Sequence, residues 1–173
     1  MMTLYEAFVP GCVQILRSVN GLINKAEAHC ADNSLPPESL IGARLAPDMM
    51  DFAYQVKSCA VHSIGAIEGL KQGRFSPDMT TPPDSFAALK AKTADTLDRL
   101  NALSAEDVEA LSEKPLIFTI GDRLRWEFRG QDFLMSFSQP NFYFHATTAY
   151  DILRMAGLKI GKVDYLGAPR RME

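Results

Sequence analysis

Two groups of residues have types and spacings that could do chemistry. The first lies in Gln139-Pro140-Asn141-Phe142-Tyr143-Phe144-His145-Ala146-Thr147-Thr148-Ala149-Tyr150, where polar, metal-competent side chains stand among aromatics. Proline suits the first turn of a helix, and the apolar spacing after it is helical. Asn141 and His145, four residues apart, then share one face. A helix-borne histidine at that spacing from a second donor can share a metal, although an amide is a poor transition-metal ligand. The competing reading is a core histidine bonded to a neighbouring side chain or carbonyl. The second group is Asp51, Gln55, Cys59 and His62, at steps of four, four and three, a polar stripe bordering an apolar one. Asp51 and His62 lie about 16 Å apart along a helix axis, so they cannot share an ion, and at most one end of the stripe belongs to a site. For His62 the simpler expectation is a solvated or dimer-facing edge.

Few other functional signals are present. His29, near the end of a helix, complements that helix's negative pole and needs no further role. Serine nucleophile elbows, phosphate-binding glycine loops and His-Glu-x-x-His are absent, and Gly157, Gly161 and Gly167 read as turns. Cys12, Cys30 and Cys59 are odd in number and far apart, which predicts reduced thiols, with Cys12 and Cys59 as small buried hydrophobes.

Positioning these side chains falls to helices. Phe8, Val9, Cys12, Val13, Leu16, Val19, Ile23 and Ala26 recur at three and four, predicting a long helix from about Leu4 to Ala31, bent or delayed by Pro10 and Gly11. A short helix follows Pro36. Asp48 is the expected N-cap of a second long helix, whose stripe from Met49 and Phe52 to Leu70 ends at Gly73. The loop from Gly73 to Pro83 is long enough to cover a site. Asp84 or Ser85 caps a third helix carrying Phe86, Leu89, Thr93, Leu97 and Leu100 inward, and a short capped helix runs from Ser104 to Leu111. Leu116–Ile120 and Leu124–Phe128 are rich in β-formers around Gly121-Asp122-Arg123, predicting a hairpin whose Phe118, Trp126 and Phe128 pack on helices. A short helix from Gln131 to Phe137 stops before Pro140, and the last long helix runs from there to Ala156. The expected fold is all-α: one domain over residues 1–173, a four-helix bundle with a small β-hairpin insertion before the last helix.

Composition bounds the partners. With 173 residues and 47% hydrophobic content the chain can bury a full core without a metal or disulfide. A net charge of −3 with scattered Lys and Arg lacks the basic footprint that nucleic acid requires. The start, Met1-Met2-Thr3-Leu4-Tyr5-Glu6, has no positive n-region, and Pro10, Gln14 and Arg17 interrupt the apolar stretch behind it, so neither a signal peptide nor a membrane span is expected and the chain reads as cytoplasmic.

Leu4-Tyr5 with Pro10, Leu40 to Met49, Gln55-Val56, Gly130-Gln131-Asp132, Pro140 to Tyr150, Ile152-Leu153-Arg154, Gly161-Lys162 and Asp164 to Gly167 together resemble an uncharacterised bacterial domain family within the DinB/YfiT-like group of metalloenzymes. The resemblance spans nearly the whole chain and implies a DinB-like four-helix bundle, often a homodimer, with no assigned reaction. In the wider group three histidines hold a metal, one from the second helix and two at four-residue spacing on the last. Here His145 matches the second of that last pair, Asn141 stands in place of the first, and the second-helix position falls near Gln55. The resulting expectation is an altered site of Gln55, Asn141 and His145, with Tyr143 or Asp48 nearby, that binds a small polar ligand and needs no cofactor. The alternatives are a divalent-metal enzyme of the thiol-transferase kind, with nickel or zinc on His145, and a non-catalytic dimeric scaffold.

Overall fold

A computed structural model describes residues 2–172. Helix α1 (Leu4–Asp32) begins at Thr3, whose hydroxyl accepts from the Glu6 N–H while the Glu6 carboxylate accepts from the Thr3 N–H, a capping box that answers two of the orphan donors at a helix start. Pro10 lies within it, so the helix starts before the proline rather than after it. Its inner face, Phe8, Cys12, Leu16, Val19 and Ile23, is fully buried. After the short α2 (Glu38–Ile41), the second long helical stretch is divided into α3 (Phe52–Val61) and α4 (Ile64–Gln72).

Two expectations for this stretch are corrected. The cap is Asp51, whose carboxylate accepts from the Tyr54 N–H at 2.9 Å, while Asp48 sits exposed in the preceding bends. The helix also breaks at His62-Ser63: the Ser63 hydroxyl turns back to donate to the Cys59 carbonyl at 2.6 Å, a local bond that competes with the helical ladder. Gly73, at φ 73°, closes α4 in the left-handed conformation that favours glycine.

Helix α5 (Phe86–Asn101) is capped by Ser85, and the short α6 (Ala105–Glu109) by Ser104. The hairpin forms from β2 (Pro115–Ile120) and β3 (Leu124–Arg129), with Phe118 opposite Trp126. It is widened by β1 (Arg74–Phe75), parallel to β2, so the insertion is a three-stranded sheet in the order β1-β2-β3. A two-residue strand leaves no alternation to find in the sequence.

The helical turn α7 (Gly130–Asp132) does not stop before Pro140. It passes through a π-helical segment, Phe133–Ser138, directly into α8 (Gln139–Met155), with Pro140 in the first turn of α8. A final short helix, α9 (Lys162–Leu166), lies between the glycines read as turns. Helix α1 packs on α5 and α8, and α3 packs on α8 and α5, around one core built largely from Phe, Leu, Ile and Val. The molecule is mostly helical with a small sheet, and none of its described helices is long and apolar enough to cross a membrane.

Candidate functional site

The contact between α3 and α8 carries the site. Because Asp51 caps α3, Gln55 falls one turn inside it, 2% exposed and facing α8. Its Nε2 donates to the Met50 carbonyl at 2.9 Å, and its Oε1 lies 2.7 Å from His145 Nδ1. Gln55 and His145, ninety positions apart, are thus brought into direct contact.

The third member is His62, seven residues and about two turns beyond Gln55. It is buried rather than solvated, which corrects the expectation of an edge position. At the C-terminal end of α3 it lies on the Gln55 face, where its ring stands beside that of His145 with centroids 5.5 Å apart and planes inclined by 18°. The π-helical segment supplies the other wall. Ser138, fully buried, donates its hydroxyl to the His62 carbonyl at 3.2 Å and lies 3.4 Å from His62 Nδ1, and the Phe137 and Phe75 rings pack on the same imidazole. Tyr54 and Phe144 meet His145 edge-on, and Phe144, 55% exposed, marks the side open to solvent.

Burial sets the charge of the pair. His62 is pushed down to about 3, first by burial and then by the neighbouring His145, and burial lowers His145 to about 4. Both imidazoles are therefore neutral at pH 7. Cys59, on the same stripe, gives its thiol to the Gln55 carbonyl at 3.3 Å, and burial raises it far above the ordinary thiol range. It is a packing residue without thiolate character.

The remaining candidates lie elsewhere. Asn141 donates to the Phe137 carbonyl at 2.7 Å, so its amide serves a backbone group of the π-helical segment. Tyr143 faces α1: its hydroxyl lies 2.9 Å from where a Cβ on Gly11 would be, and burial beside Cys12 raises its pKa. Asp48 makes no side-chain hydrogen bond or ion pair among the described residues, and Asp51 is spent on the α3 cap and on Arg44 at 3.4 Å. Among the described residues no group of three or more His, Cys, Asp or Glu side chains is placed to share an ion. Sequence reasoning missed Ser138 and expected His62 on an edge, although its two-turn spacing from Gln55 in the same stripe was the available signal.

The chain is mostly helical with a small sheet, and its second and last long helical stretches meet through Gln55, His62 and His145. Residues 4–166 match the family described as "Domain of unknown function (DUF1993)", and the chain belongs to that family. Among solved structures it is similar to a DinB family member protein from Shewanella denitrificans, with a TM-score of 0.83 and 28% identity over 98% of this chain and 95% of that one. No curated protein matches it.

Proposed function

We propose that Gln55, His62 and His145 form a small-ligand site that works without a metal, on a DinB-type four-helix bundle made by α1, α3 with α4, α5 and α8. The observation that carries this reading is the 2.7 Å contact between Gln55 Oε1 and His145 Nδ1, which spends one imidazole nitrogen and the amide oxygen on each other. Asn141, at the position of a further metal ligand in the wider group, is bonded to a backbone carbonyl. Among the described residues no third His, Cys, Asp or Glu side chain joins the two imidazoles to complete a metal-binding set. Neutral imidazoles beside exposed aromatic surface suit a small, partly apolar molecule held by a few directed hydrogen bonds.

A second reading has one specific observation behind it. His62 adds an imidazole beside His145, and two histidines are a better beginning for a divalent-metal enzyme than one. Elemental analysis of the purified protein together with a thermal-shift screen of metabolites and metals separates the readings. The expected result is substoichiometric nickel and zinc and a small molecule that stabilises the wild type but not His145→Ala. Stoichiometric metal lost in His145→Ala would establish the metal-dependent reading. A scaffold would show neither metal nor ligand, with His145→Ala changing only stability.

A further inference from the structure

The geometry points to Gln55 as a positioning residue that locks His145 as its Nδ1–H tautomer, leaving the Nε2 lone pair as the atom that meets the ligand. It follows that the ligand offers a hydrogen-bond donor, an O–H or N–H, and not a carboxylate or phosphate. Donor and acceptor capacity decide the tautomer. The Met50 carbonyl can only accept, so the Gln55 atom 2.9 Å from it must be the amide nitrogen. The amide oxygen then faces His145, and because it too can only accept, the 2.7 Å contact requires a proton on Nδ1. A neutral imidazole has one N–H, so Nε2 carries the lone pair.

Two further observations make Nε2 available. It has no hydrogen bond within the described protein, yet no buried side-chain nitrogen or oxygen there lacks a partner, so Nε2 is reached by solvent. Its surroundings include the Tyr54 and Phe144 rings. An anion at Nε2 would face a lone pair with the ring's only proton already spent on Gln55, which is why anions are excluded. The ligand class rests on the function proposed above, whereas the tautomer does not.

Long-range proton–nitrogen correlation NMR on the full chain with 15N-labelled histidine tests both at pH 7. The expected spectrum has a protonated Nδ1 and an unprotonated Nε2 for His145; an Nε2–H form in the wild type overturns the lock. Gln55→Met removes the acceptor and is expected to release the Nδ1–H preference, whereas Gln55→Glu, which offers acceptors only, keeps it. An unchanged tautomer in a folded Gln55→Met overturns the role of Gln55. Benzyl alcohol and benzoate, alike in ring and size, then probe the ligand class. Benzyl alcohol is expected to move the Nε2 resonance and benzoate to leave it; an equal or larger effect of benzoate, or none from either, overturns the ligand class. The tautomer is read without ligand, so a failed screen and a failed lock give different results.

Discussion

Acid should unfold this protein through His62 and His145, whose burial holds both imidazoles neutral in the fold. Both folded values, about 3 and about 4, lie below the ordinary histidine value of about 6.5. The folded state therefore holds neutral imidazoles that the unfolded chain would protonate. Their contribution is fully present above pH 6.5 and is lost as pH falls toward the folded values. Each proton taken up only on unfolding costs about 1.4 kcal/mol per pH unit. Between pH 5.5 and 4.5 the unfolded histidines are almost fully protonated and the folded ones mostly neutral, so the pair removes about 2.5 kcal/mol. That is a large share of a typical stability of about 5–15 kcal/mol. Urea unfolding at half-unit steps from pH 7.5 to 4.5 measures it, with a His62→Gln/His145→Gln double variant as reference for the carboxylates that titrate in the same range. The wild type is expected to lose about 2.5 kcal/mol more than the double variant over that unit, whatever their difference at pH 7. Parallel losses in the two proteins would refute the reasoning, because they would mean that the imidazoles protonate in the fold as readily as in solution.

Three further outcomes follow from packing and charge. Gly130 is buried against the chain at Leu111, where an added Cβ would stand 1.9 Å from the Leu111 carbonyl oxygen, so Gly130→Ala is expected to cost about 3 kcal/mol or more in a urea titration. The Lys57 ammonium, 3% exposed, is held by the Asp78 carboxylate at 2.9 Å and by the Asp78 and Thr80 carbonyls at 3.0 and 2.6 Å, tying the loop before α5 to α3. Lys57→Ala should cost about 2–4 kcal/mol and expose that loop to limited proteolysis, while Asp78→Asn, which leaves the two carbonyls in place, should cost about 1 kcal/mol. Cys12, Cys30 and Cys59 are free and buried, and burial raises all three thiols, so Ellman's reagent should label none at pH 8 until denaturant is added.

Most of the helices were legible because their signals are local and repeated. The spacing of Phe8, Cys12, Leu16, Val19 and Ile23, the serines before Phe86 and Ala105, and the β-rich runs around Gly121 each point to one element, and each element forms. The contact of Gln55 with His145 was reachable only through the resemblance to the DinB-like group, since nothing local connects positions ninety residues apart. Asp48 and Asp51 show the limit of capping rules: both can cap, and tertiary placement of the chain before α3 decides for Asp51. Tyr143 and Asn141 flank His145 in sequence, but one turns to α1 and the other to its own backbone. Tyr143, two residues away, falls on another face of the helix, and Asn141, which shares the His145 face, is taken up by its own backbone.

What the sequence hid is irregular backbone, and both irregularities meet at the same place. The apolar stripe from Phe52 to Leu70 is continuous enough to predict one helix, yet the ladder breaks at His62-Ser63, where the Ser63 hydroxyl donates back to the Cys59 carbonyl. The π-helical segment is equally invisible to periodicity, because one extra residue per turn leaves no composition signature. Yet that segment brings Ser138 and Phe137 against His62, and its Phe137 carbonyl accepts from the Asn141 amide. Two local departures from the ladder therefore meet beside the glutamine–histidine contact, where both imidazoles are neutral. A mutation that restored the regular ladder, Ser63→Ala, should on this argument raise helix continuity while loosening His62. The resulting rise in the His62 pKa toward the ordinary value would be visible in the same NMR titration, and a His62 value unmoved in Ser63→Ala would show that the break is held by something other than the Ser63 hydroxyl.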